Sequence, residues 1–151
     1  MSKINFYHLQ KQPIENVLPK LLEKAYATGV NTIVRIGNPE RVEFINGILW
    51  SFEEQSFLPH GSKKDGNAQM QPIWLTSVSE NPNNAEMLFL VDGANLEDDD
   101  IEDFSRIFVI FDGASEEALT QARSMWKKVK STGHECSYWQ QDAQGKWQKS
   151  A

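Results

Sequence analysis

Arg123, Lys127 and Lys130 place three positive charges close together, and the large indole of Trp126 falls among them. On a helix turning about 100° per residue, Leu119, Ala122, Trp126 and Val129 share one stripe. The three cations border that stripe instead of opposing it, while Lys128 points away. A cationic border on an apolar edge suits a short acidic peptide that ends in a hydrophobic residue and a free carboxylate. The cations steer the charge and the apolar lip buries the side chain. A plainer reading is also open: cations gather near a helix C-terminus because they favour the dipole there, and Trp126 belongs to the core.

A second group is apolar. Trp50-Ser51-Phe52 and then Phe57-Leu58-Pro59 put large side chains at a helix end and into a loop. They read either as core or as an exposed aromatic-proline patch for a protein partner.

Catalytic chemistry finds less support. Gly37-Asn38-Pro39 follows a strand without G-x-G-x-x-G spacing, and no G-x-x-x-x-G-K-[ST] occurs, so neither phosphate-cradling loop is predicted. His8, His60 and His134 are far apart and form no H-x-x-x-H or H-x-C pair, so no metal site is expected. Cys136 falls inside a strand pattern and reads as a buried thiol. The acidic run Glu97 to Asp103 lacks the calcium-loop pattern and reads as a solvated loop or a source of negative field. No catalytic residue, metal or other cofactor is predicted. One alternative stays open, a nucleotide-binding or enzymatic domain that uses the strand carboxyl ends near Gly37 and Gly93.

Composition narrows the class. The 151 residues suit one domain spanning 1–151 with a sizeable core. The formal net charge of −6 argues against strong direct binding of nucleic acid, so any anion site must be a local patch. A single cysteine excludes an internal disulfide and fits a reducing compartment. No apolar run approaches the roughly 20 residues of a membrane span, and no signal segment is evident at the N-terminus, so a soluble cytoplasmic protein is expected.

The elements that must position these residues alternate. Ile4 to Leu9 reads as a strand. Val17, Leu18, Leu21, Leu22 and Ala25 recur at helical spacing, with Pro19 tolerable if that helix begins near Asn16 and with Gly29 closing it. Thr32 to Ile36 is a second strand. Asn38 caps the next helix, Pro39 opens it, and Val42, Ile45 and Leu49 are its buried stripe. Ser56 to Pro72 reads as a loop. Ile73 to Thr76, Met87 to Val91 and Arg106 to Phe111 read as strands, the last with nothing polar inside and therefore covered on both faces. Ser115 caps the cationic helix, Gly133 ends it, and His134 to Trp139 returns as a strand. The pattern predicts an α/β fold: a Rossmann-like domain with a mostly parallel sheet and helices on both faces.

Several of these pieces, in their order and spacing, resemble the chi subunit of bacterial DNA polymerase III holoenzyme, an accessory part of the clamp-loader complex. They are Phe6-Tyr7-His8-Leu9, Trp50-Ser51-Phe52, Ser56-Phe57-Leu58-Pro59-His60-Gly61, Gln71-Pro72-Ile73-Trp74-Leu75, and Phe111-Asp112-Gly113 leading into Ala122-Arg123-Ser124-Met125-Trp126-Lys127 and Gly133-His134. The resemblance covers nearly the whole chain. It implies a Rossmann-like domain without enzymatic activity that bridges the clamp loader and single-strand DNA-binding protein. It also implies that the helix from Ser115 to Ser131 holds that protein's acidic, phenylalanine-ending tail. Arg123 and Lys127 match the family's basic positions, and Trp126 falls where the family often has tyrosine. A second interface, for the psi subunit or in some bacteria a helicase, matches Trp50, Phe57 and Pro59. With this resemblance the basic cleft becomes the leading reading of the cationic helix.

Overall fold

The computed structural model describes residues 3–10, 12–51 and 59–150. In chain order it contains β1 (Lys3–Leu9), α1 (Ile14–Ala27), β2 (Thr32–Ile36), α2 (Val42–Ser51), β3 (Gly61–Ser62), β4 (Ile73–Thr76), β5 (Met87–Val91), α3 (Asp100–Asp103), β6 (Arg106–Asp112), α4 (Glu116–Ser131), β7 (Glu135–Gln141) and β8 (Trp147–Lys149). Short 3-10 turns occupy Pro39–Arg41 and Ala68–Met70.

One eight-stranded sheet runs in the order β3-β4-β2-β5-β6-β1-β7-β8. Every neighbouring pair is parallel except the β7–β8 hairpin. The sheet divides two cores, because successive strand side chains point to opposite faces. On one face Ile4, Phe6, Leu88, Leu90, Ile107, Val109 and Phe111 meet Ala122, Met125 and Val129 of α4 and Ile101 of α3. On the other, Val34, Ile36, Leu75, Phe89 and Val91 meet α1 and α2 through Leu18, Leu22, Ile45 and Leu49. β2, β4 and β5 are buried at every position. That matches their near-continuous apolar sequence, since interior parallel strands see a helix or loop layer on both sides.

Four expectations need correction. α1 begins at Ile14, so Pro19 sits inside the helix and not in its first turn. The ring is buried and lines a small gap with Ile45 and Leu49 of α2, a contact that offsets the one backbone bond proline cannot donate. The segment from Ser62 to Gln71 is not structureless: it carries the edge strand β3 and the 3-10 turn. Asp65 anchors it by accepting from the Ser62 backbone N–H (3.0 Å) and the Asn46 amide (2.9 Å), and the Ser62 bond in particular lowers the carboxyl's pKa.

The acidic run Glu97 to Asp103 is likewise not simply a solvated loop. Asp100, 3% exposed, opens α3 and takes both ends of the Arg35 guanidinium at 2.7 and 3.0 Å. Arg35 points inward from β2 and requires a counter-charge once out of water. Finally, β8 extends the sheet beyond the last predicted strand. Its hairpin is built on Asp142, whose Oδ1 accepts from the backbone N–H groups of Gln144 and Lys146, and on Gly145 at φ 84°.

Candidate functional site

α4 is held at both ends by local chemistry. Ser115 Oγ accepts from the Ala118 N–H at 3.2 Å, Glu116 and Glu117 meet the positive end of the helix dipole, and Lys128 and Lys130 meet the negative end. Ala122, Met125 and Val129 are the buried anchors, each contributing on the order of 1 to 3 kcal/mol of apolar burial. Met125 thus joins the stripe read from the sequence, while Leu119 and Trp126 lie at its half-buried margin.

Trp126 therefore both packs and faces outward. Its ring meets Phe6 of β1 edge-on at 5.4 Å and Tyr138 of β7 edge-on at 6.0 Å. Lys130 Nζ lies 5.2 Å from the indole centroid, within cation–π reach. Tyr138 and Cys136 alternate along β7 on the face towards α4 and form the opposite wall. Burial pushes the Tyr138 hydroxyl's pKa up, with the Arg123 charge pulling the other way. Burial likewise raises the Cys136 thiol, opposed by Lys130. Cys136 is half-buried, less enclosed than expected.

Arg123 and Lys127 are exposed and four residues apart, which makes them neighbours on the helix surface. Arg123, Lys127 and Lys130 form no ion pair with a described carboxylate, whereas Lys128, on the far side, pairs with Asp98. The structure thus brings Trp126 and Lys130 together beside Tyr138 of β7, with Arg123 and Lys127 exposed on the adjoining helix surface. Sequence reasoning missed that wall. The signal was present in the strand alternation, because Tyr138 is the register partner of Phe6, but only the order β6-β1-β7 sets both beneath α4.

The second group lies elsewhere, at the end of α2 on the other side of the sheet. Trp50 is 52% exposed and its ring sits 4.4 Å from that of the buried His60. Pro59 is half-buried. Phe57 lies outside the described residues.

A third feature is a crevice of about 630 Å³ at the carboxyl ends of β1, β5 and β6. Glu15, Asp92, Asp112 and Glu117 line it together with Arg41. The Arg41 guanidinium is already engaged by Asp92 (2.8 Å) and Glu15 (3.4 Å). Gly37, which is not among the lining residues, packs against one that is: a Cβ there would lie 2.3 Å from the Asp92 carbonyl oxygen. Among the described residues no group of three or more His, Cys, Asp or Glu side chains is arranged to hold a metal ion, and no helix is long and apolar enough to cross a membrane.

The family model described as DNA polymerase III chi subunit, HolC, matches residues 1–137, a span that contains all of α4. The chain is also similar to the probable DNA polymerase III subunit chi of Rickettsia prowazekii (strain Madrid E). The two are 28% identical over 159 residues, covering 100% of this chain and 93% of that protein.

Proposed function

Because the chain belongs to the DNA polymerase III chi subunit family, we propose that it is a non-catalytic accessory subunit of the replicative clamp-loader complex, joined to single-strand DNA-binding protein by that protein's acidic C-terminal tail. The tail lies in the α4 cleft. Arg123 and Lys127 attract its carboxylates, Lys130 closes one side, and the terminal hydrophobic residue packs against Trp126. The observation that carries this reading is the set of α4 cations without a described carboxylate partner beside a half-buried indole. The helix dipole accounts for positive charge near the C-terminus but not for the apolar edge that the charge borders.

Calorimetric titration with a synthetic acidic peptide ending in phenylalanine tests it. Wild type is expected to bind modestly. Lys127→Glu, exposed and so neutral for folding, is expected to lose at least about tenfold, since a charge reversal replaces attraction by repulsion. Equal binding by the two proteins, or none by wild type, overturns the assignment.

For the second partner, psi or a helicase, the reading rests on Trp50, an exposed aromatic at a helix end with Pro59 nearby. Phe57 belongs to the same proposal by its sequence position. The crevice at the strand ends is where a nucleotide-binding or enzymatic domain would hold its ligand. Its lining disfavours that alternative, because phosphates entering there meet four carboxylates and a single arginine already paired with two of them.

A further inference from the structure

His8 lies on β1 next to the cleft wall, and its ring nitrogen takes hold of a β7 side chain. Its Nδ1 is 2.8 Å from the Tyr138 hydroxyl and 3.3 Å from the Gln140 amide nitrogen. Gln140 is itself held by Ser150, whose Oγ lies 3.1 Å from Gln140 Oε1, so Tyr138 and Gln140 both converge on Nδ1 from β7. The Tyr138 hydroxyl is thus hydrogen-bonded inward, to His8.

The consequence reaches the cleft. With its hydroxyl tied to β1, Tyr138 holds its ring edge-on to Trp126 at 86° and 6.0 Å, and it is the ring that faces α4. His8 is itself wedged, tilted against Phe111 at 5.1 Å. Gly113 leaves the room for it: a Cβ at that position would lie 1.8 Å from His8 Nε2.

We infer that His8 is a positioning residue for the peptide cleft, holding Tyr138, and through it Trp126, in the geometry that receives the hydrophobic end of an acidic peptide. The inference rests on the peptide reading of α4 and adds to it a residue on a different element. His8 touches no peptide; it acts through one hydroxyl.

The test uses the full chain and the same phenylalanine-ending peptide, titrated calorimetrically into wild type, His8→Phe, His8→Asn, Tyr138→Phe and the double variant His8→Phe/Tyr138→Phe. Phenylalanine keeps the ring volume and removes the hydrogen-bonding nitrogen, whereas asparagine can set its amide where Nδ1 stood. His8→Phe and Tyr138→Phe are each expected to weaken binding about fivefold, the size of one net hydrogen bond, and the double variant no further. His8→Asn is expected to stay within about twofold of wild type. A simple loss of stability would not produce this pattern of non-additivity and rescue.

Wild-type affinity in His8→Phe, alongside lost affinity in Lys127→Glu, overturns the role of His8 and leaves the cleft reading intact. So do losses that add in the double variant. Failure of wild type to bind overturns both. If His8→Phe does not fold, Tyr138→Phe with an unchanged thermal midpoint decides: retained affinity overturns the inference and a fivefold loss supports it.

Discussion

Asp100 stands within a run of carboxylates, and nothing in that run distinguishes it from its neighbours. The fold distinguishes it by placing Arg35, 5% exposed, directly against it, and by having the Glu97 N–H donate to the same carboxylate at 2.7 Å. Removing one partner of such a pair leaves a charge buried and uncompensated, a cost of about 3 to 5 kcal/mol. Asp100→Ala is therefore expected to lower the thermal midpoint by about 10 °C, given about 2 to 4 °C per kcal/mol at this chain length. Arg35→Met combined with Asp100→Leu should recover much of the loss. Equal midpoints for Asp100→Ala and wild type would show that the pair is solvated. His8 makes the same point differently. In the sequence it is a strand histidine without an assigned partner, and its partner in the fold is a hydroxyl 130 positions away.

At the level of elements, α4 was readable because helical periodicity, the Ser115 cap and the Gly133 stop lie within one continuous stretch. Its partner wall was less so: β7 was recognised as a strand, yet no local feature says which helix a strand will lie beneath. α2 poses the converse case, where large aromatics at a helix end read equally as core or as surface. The structure separates them for Trp50, which is 52% exposed. Trp50→Ala is thus expected to shift the thermal midpoint by no more than about 2 °C, as surface substitutions usually stay within about 0.5 kcal/mol. It should also weaken capture of a purified psi subunit or helicase while the acidic peptide still binds α4. A collapsed thermal transition would assign Trp50 to the core instead.

For the whole molecule, a net charge of −6 frames every anionic ligand. The α4 cations act as a local exception, so peptide affinity should fall several-fold between about 0.05 and 0.3 M salt as the attraction is screened. Bare single-stranded oligonucleotides, which lack the terminal hydrophobic anchor and meet the overall negative field, should give no anisotropy change at physiological salt. A salt-insensitive peptide or a tightly bound oligonucleotide would refute the local-patch picture. The fold class, most element boundaries and the charged helix were legible from sequence by itself. Those depend on periodicity, caps and turn residues acting over a few positions. Only the tertiary structure decided that Asp100 pairs with Arg35, that Tyr138 stands beneath α4 with His8 bonded to its hydroxyl, and that the strand-end crevice is acidic. Each of those depends on strand order, which brings distant residues together and leaves no local trace in the chain.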